Sequence, residues 1–307
     1  MTEYFFHIGL PKSATSYLQK NFFPVLNLTY LGKHYDSKID KRDNNKDFEK
    51  LFRALFYKQP FQVTEEEYNK IKNLIGHNKK ILYSNEVMVG SYTINFNNGY
   101  QIAHHIKNGF PNSKIIYVIR KQDDFIESLY RQAIRNGYSH SIKKFLNYKK
   151  GSFRINNYEN DGQIDLFSLD YYKQLTFYTN IFGKENLLVL PYELLKINRT
   201  LFLKKLTSFM SVEYIEPLSS EKTNSQDGYI LLLIMRFINS FISKKIQNRL
   251  NDVLFFNKIG KLLNYIPYKR KFISYELQKK IQEFYNESNK KASEKFHLEL
   301  ENFGYIK

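Results

Sequence analysis

The segment that most constrains this chain lies at its start. Tyr4 to Ile8 is a short apolar run ending in Gly9-Leu10-Pro11, as suits a buried strand passing into a loop. Lys12 follows, then the hydroxyls of Ser13, Thr15 and Ser16, and then a helical pattern from Ser13 to Leu26. The first N–H groups of a helix have no intrahelical partner and carry partial positive charge, so such a junction binds phosphate readily. Lys12 adds a full charge, and the hydroxyls add donors. The plainer reading is a strand-to-helix turn whose Ser and Thr only cap the helix.

Further along, strands and helices alternate. Thr64-Glu65-Glu66-Glu67 reads as a capping box opening a helix to about Ile75, with Gly76 as its stop. Lys80 to Ser84 reads as a second strand, Asn98 to Asn108 as a helix, and β-branched Lys114 to Ile119 as a third strand. Asp123 to Asn136 carries Phe125, Ile126, Leu129, Tyr130, Ala133 and Ile134 at helical spacing, closed by Gly137. Lys149 to Gln163 is polar and reads as a long surface loop. Leu169 to Phe182 reads as a helix, Asn186 to Leu190 as a fourth strand, and the chain from Thr200 onward as mostly helical. Strands buried on both faces and separated by helices predict an α/β fold: a P-loop-like three-layer sandwich with a central parallel sheet and a helical C-terminal region. No repeat or linker divides the chain. The expected organisation is one domain over 1–307, with an α/β core at 1–212 and a mostly helical extension at 213–307.

Composition narrows the function. Lys and Arg number 47 against 30 Asp and Glu, a formal net charge of +17. That implies an anionic ligand, polyanion or anionic membrane. With 42% hydrophobic and 17% aromatic residues the chain is no disordered basic tail. Cysteine is absent, which excludes disulfides, thiolate nucleophiles and Cys-based zinc sites. No signal peptide is recognisable, and the apolar stretch Ile230 to Ile242 is broken by Arg236 and Asn239. A cytoplasmic protein is expected.

The first loop is not a Walker A motif, because Pro11 stands where the second glycine is required. The third strand also ends in Arg120 rather than in a magnesium-holding Asp. Instead, Pro11-Lys12-Ser13-Ala14-Thr15-Ser16-Tyr17-Leu18 resembles the P-K-[ST]-G-T-[TS]-x-L loop of sulfotransferases that use 3'-phosphoadenosine-5'-phosphosulfate (PAPS). The resemblance implies that Lys12 contacts the bridging oxygen of the leaving group. It implies that the backbone of Ser13 to Ser16, with the Thr15 and Ser16 hydroxyls, binds the 5'-phosphate. Ala14 replaces the usual glycine, which adds a methyl group and penalises positive φ but leaves the backbone donors intact. The family's second signature is a strand ending in Arg with a helical Ser eight residues on, and Arg120 and Ser128-Leu129-Tyr130 resemble it. There the Arg and Ser bind the 3'-phosphate. The usual Asp-Pro after the Arg is here Lys121-Gln122, leaving Asp123 and Asp124 to cap the helix.

Softer likenesses extend this over most of the chain. Leu188 to Leu195 is similar to a strand followed by a Tyr-Glu-Asp-Leu segment, with a structural role implied for the acid. Lys222-Thr223-Asn224-Ser225 resembles a segment near the 3'-phosphate, making Lys222 and Ser225 candidate ligands. Phe284 to Tyr305 resembles the C-terminal helix and tail of bacterial members.

The family's catalytic base follows the second strand, and here Glu86 takes that place, with a histidine as the alternative. His7 reads as a packed strand residue, and adjacent His104 and His105 point to different helix faces. No metal-binding spacing is present, and none is implied by the family. Arg154 and Tyr158 in the 149–163 loop are candidate acceptor contacts. Residues 221–280 hold 12 Lys and Arg against 4 Asp and Glu, a net of +8, which suits a solvated face or peripheral docking on anionic membrane at its inner face. The resulting expectation is a bacterial PAPS-dependent sulfotransferase acting on a carbohydrate hydroxyl, less readily an amine, of a surface polysaccharide or glycolipid. Its product would be 3'-phosphoadenosine 5'-phosphate, with no metal and no nucleic-acid partner. The alternatives are a P-loop kinase and a basic nucleic-acid-binding protein.

Overall fold

The computed structural model describes residues 2–32, 44–75, 79–91, 96–155, 162–219, 228–241 and 270–307. Among them seven strands form: β1 (Glu3–His7), β2 (Thr29–Gly32), β3 (Lys80–Ser84), β4 (Ser113–Ile119), β5 (Tyr148–Lys149), β6 (Ser152–Phe153) and β7 (Leu187–Pro191). Five of these build one sheet in the order β2-β3-β1-β4-β7, and every pairing is parallel. β1 occupies the centre. Phe5 lies opposite Leu82 on one side and Lys114 on the other.

The middles of the sheet strands are apolar because both faces are covered. Ile115 to Ile119 are all buried. Alternation sends Phe5, Leu82, Ile116, Val118 and Leu190 into one core cluster with Phe202, Leu203 and Leu206. The opposite neighbours Phe6 and Tyr83 meet the rings of Phe52 and Phe110 instead. Burying each such ring contributes about 1.5–3 kcal/mol.

The helices that bear on the sheet are α1 (Thr15–Tyr17), α2 (Asn44–Leu55), α3 (Glu65–Ile75), α4 (Asn97–Gly109), α5 (Gln122–Arg135), α6 (Ile142–Phe145), α7 (Tyr171–Phe182), α8 (Tyr192–Ile197), α9 (Arg199–Met210), α10 (Tyr229–Asn239) and α11 (Tyr275–Phe296). The expected capping box at α3 is present. Thr64 N–H donates to Glu67 Oε2 at 2.9 Å, and Glu67 N–H donates to Thr64 Oγ1 at 3.3 Å. The first helix differs from its expected form. It starts at Thr15, widens into a π-helical turn over Leu18–Phe22 and tightens to a 3₁₀ turn over Phe23–Val25. Pro24 has no N–H to offer a regular ladder, and the geometry changes where it enters. The expected loop at 149–163 begins in the β5–β6 hairpin. β2 and α2 were not legible in the sequence.

The chain gathers into two compact units. The first comprises residues 1–121, 170–223 and 286–307 and contains the sheet. The second comprises 122–169 and 224–285. Within the second, α5 is the organising element. Glu127 accepts the N–H groups of Phe272 and Ile273 and the guanidinium of Arg131. Asp123 and Asp124 lie inside the first turn rather than before it. Asp123 Oδ2 accepts from Gln278 at 2.6 Å and Gln282 at 3.0 Å, and Asp124 pairs with Lys271. Asn239 of α10 donates to Ile134 O, and Arg236 to the Tyr130 hydroxyl. No described helix is long and apolar enough to cross a membrane.

Candidate active site

The loop after β1 hangs from β4. Ile8 N–H donates to Ile116 O at 3.0 Å and Leu10 N–H to Val118 O at 3.1 Å, extending the pairing past the last regular residue. Ser13 N–H closes back on Leu10 O. Lys12 and Ala14 then take φ values of 64° and 65°, in the left-handed region. Glycine enters that region freely, whereas the methyl group of Ala14 makes it costly there. The first intrahelical bond runs from Leu18 N–H to Ala14 O, so the N–H groups of Thr15, Ser16 and Tyr17 precede the ladder.

Ser13 and Thr15 are buried, and neither hydroxyl oxygen has a hydrogen-bond partner among the described residues. A buried polar atom left unsatisfied costs about 1–3 kcal/mol, and a native fold keeps few of them. Two such hydroxyls beside three leading helix N–H groups fit an anion such as a phosphate.

Arg120, at the end of β4, faces this loop. Its Nη1 donates to Lys12 O at 2.6 Å, holding the carbonyl of a residue at positive φ. The guanidinium lies 5.1 Å from the Tyr192 ring, Nε has no partner among the described residues, and the Tyr171 hydroxyl donates to Arg120 O. One face of the expected phosphate fork is thus committed to the loop itself.

Glu86 opens a 3₁₀ turn, Glu86–Val89, directly after β3. Asn85 shapes that turn: its Oδ1 accepts Val87 N–H at 3.0 Å and its Nδ2 donates to the Tyr83 hydroxyl at 2.9 Å. Behind it Gly99 of α4 comes so near that an added Cβ would lie 2.2 Å from Val89 O. Glu86 itself is half-buried, with no partner among the described residues. Because β3, β1 and β4 are neighbours and parallel, Glu86, the 8–16 loop and Arg120 share the carboxyl edge of the sheet. Open parallel sheets bind their ligands at that edge.

Beneath the loop, His7 is fully buried. Its Nδ1 lies 2.7 Å from Ser84 Oγ, and Gln19 Nε2 donates to Ser84 O and Oγ at 3.0 and 3.1 Å. Ser84 Oγ thus lies between the His7 ring and the Gln19 amide, while His7 Nε2 has no partner among the described residues. Burial pushes the imidazole down to about 3, so it is neutral, and it matches the expected packed strand residue. Gly9 must be small here, since a Cβ would stand 2.9 Å from His7 Nε2. His105 is buried against Tyr68 and Lys58 O, whereas His104 is exposed. Among the described residues no three His, Asp or Glu gather as metal ligands.

Ser128 lies buried in the middle of α5. Arg154 is exposed beside the hairpin. Lys222, Ser225, Tyr158 and most of the basic 221–280 block lie outside the described residues. Sequence reasoning missed Tyr192 under Arg120 and Tyr305, whose hydroxyl donates to Glu193 Oε2 at 2.6 Å. Their signals were the strand-end segment Leu188 to Leu195 and the tail ending at Tyr305, neither of which marked a site role.

No family model and no curated protein matches the chain. Solved structures do. A sulfotransferase from Alicyclobacillus acidocaldarius aligns at TM-score 0.55 and 12% identity, covering 97% of each chain. Mouse sulfotransferase SULT7A1 complexed with PAP aligns at TM-score 0.36 and 14% identity, covering 86% of this chain and 89% of that one. The sulfotransferase domain from the curacin biosynthetic pathway aligns at 0.40 and 14%, covering 92% and 97%. The first of these establishes a shared fold.

Proposed function

We propose that this protein is a PAPS-dependent sulfotransferase acting on a carbohydrate hydroxyl. The observation that carries the reading is the Pro11–Ser16 loop. Its Ala14 sits in the left-handed conformation at the head of a helix, with the Ser13 and Thr15 hydroxyls buried beside it and unmatched among the described residues. The shared fold and the placement of Arg120 and Glu86 on the same sheet edge support it.

When bound, PAPS supplies an activated sulfuryl group on a phosphate leaving group. The chain's own residues bind and neutralise. The leading N–H groups of α1 and the loop hydroxyls hold the 5'-phosphate. Lys12 carries the cation for charge building on the leaving oxygen, where fixed positive groups contribute most. Arg120 and Ser128 serve the 3'-phosphate, with Lys222 and Ser225 as further ligands. Glu86 accepts the proton of the acceptor hydroxyl.

Calorimetry with 3'-phosphoadenosine 5'-phosphate against AMP tests this. The 3'-phosphorylated nucleotide should bind at least about tenfold tighter, a difference of about 1.4 kcal/mol. Lys12→Ala and Arg120→Ala should weaken it. Glu86→Gln should retain binding while turnover on an accepted sugar falls about 10²–10⁴-fold. Equal affinity for the two nucleotides, or none for either, overturns the assignment.

A further inference from the structure

The anion loop has a support that neither Lys12 nor Arg120 provides alone. Lys12 O, carried at positive φ, is held by Arg120 Nη1 at 2.6 Å. Arg120 is itself gripped on three sides. The Tyr171 hydroxyl donates to its carbonyl, the Tyr192 ring underlies its guanidinium, and Glu193 fixes the next peptide by accepting Lys121 N–H at 3.2 Å. Glu193 is a buried carboxylate, and a buried carboxylate is costly unless its oxygens are matched. Its second oxygen accepts from the Tyr305 hydroxyl at 2.6 Å.

Tyr305 is placed with care. Gly304 turns the chain at φ 72°, Tyr305 N–H donates to Leu300 O at 3.1 Å, and Asn289 Nδ2 of α11 donates to Tyr305 O at 2.9 Å. The ring is buried against Tyr171, the residue that bonds Arg120 O. Burial and the adjoining Glu193 charge hold the phenol well above its ordinary range, so it stays a donor. A hydroxyl distant in sequence thus closes a relay from Tyr305 through Glu193 and the Arg120–Lys121 strand end to Lys12.

We propose that Tyr305 is a positioning residue for the anion loop, acting through Glu193 on Arg120. Its hydroxyl keeps Glu193 oriented on Lys121 N–H. That orientation keeps the guanidinium on the Lys12 carbonyl, and the loop is then set before any ligand arrives. Pre-setting of this kind improves affinity by removing an ordering cost from the binding step. The inference rests on the proposed function only for the identity of the anion.

The test compares wild type, Tyr305→Phe, Arg120→Lys and the double variant in two arms. In the first, hydrogen exchange is followed in the ligand-free protein over a peptide spanning residues 8–18. Tyr305→Phe should speed that exchange about tenfold while the urea midpoint and the exchange of β4 stay near wild type. The double variant should be no faster than Arg120→Lys alone, because both act on one carbonyl. In the second, affinity for 3'-phosphoadenosine 5'-phosphate should fall about five- to tenfold in Tyr305→Phe. Unchanged exchange over 8–18, additive effects in the double variant, or exchange rising equally everywhere overturns the proposal. Should Tyr305→Phe not fold, Glu193→Gln is measured identically, since it keeps the side-chain shape and removes the charge. If wild type binds no 3'-phosphorylated nucleotide, the functional reading falls and the exchange arm still decides the relay.

Discussion

Ala14 shows what one methyl group does to a loop. An L-residue in the left-handed region costs about 1–2 kcal/mol, whereas glycine enters it freely. Glycine also gives the unfolded chain more freedom, which takes back about 0.4–1 kcal/mol. The balance favours Ala14→Gly by about 0.5 kcal/mol, read as a higher urea midpoint at unchanged slope. A lower midpoint would show that the methyl group packs too well to lose. His7 gives a residue-scale prediction in pH. Its folded pKa is about 3 against an ordinary 6.5, so between those values the unfolded chain binds the extra proton. The stability it contributes is complete above pH 6.5 and lost as pH falls toward 3. The slope approaches about 1.4 kcal/mol per pH unit below 6.5, so about 1.6 kcal/mol should vanish between pH 6.5 and 5. Buried His105, also lowered, adds with the same sign. Urea titrations at both pH values should show His7→Asn losing less than wild type over this range. An equal loss would locate the acid sensitivity elsewhere.

Elements with strong local signals were legible. The capping box at Thr64, the β-branched run of β4 and the helical spacing of α5 each depend on residues within one turn or one strand. β2 escaped because Thr29-Tyr30-Leu31-Gly32 is four residues long and, among the described residues, pairs with β3 alone, so its identity comes from a partner some fifty positions on. The candidate loop and Arg120 could be picked out from the sequence because their motifs are local. What Arg120 touches could not be, because Tyr171, Tyr192 and Glu193 reach it from separate elements. α5 hid a similar long-range role. Its Glu127, which no local pattern marks, is 6% exposed at the side chain and accepts two backbone N–H groups from residues 272 and 273. Removing one partner of a buried ion pair typically costs about 3–5 kcal/mol. Glu127→Ala should therefore lose about 3 kcal/mol in chemical denaturation and expose the 270–273 peptide to rapid exchange. A loss under about 0.5 kcal/mol, as for an exposed pair, would show that the clamp carries little.

At the scale of the whole chain, the charge of +17 sets two opposing responses to salt. Like charges repel most in the compact state, and the repulsion reaches about 30 Å at 0.01 M ionic strength but only about 8 Å at 0.15 M. Sodium chloride raised across that range should therefore increase the ligand-free Tm. On the proposed function, an anionic nucleotide held by Lys12, Arg120 and the α1 N–H groups would stabilise through its own affinity, by about 2.7 kcal/mol at a hundredfold excess over Kd. Screening weakens that affinity, so the nucleotide-induced increment in Tm should shrink over the same salt range. The two trends can be read from one set of calorimetric scans with and without 3'-phosphoadenosine 5'-phosphate. If the ligand-free Tm falls with salt, attractive pairs outweigh the net repulsion. If the increment holds constant while the ligand-free Tm rises, the nucleotide is not bound through the cations at the sheet edge, because only a site built on those charges loses affinity as they are screened.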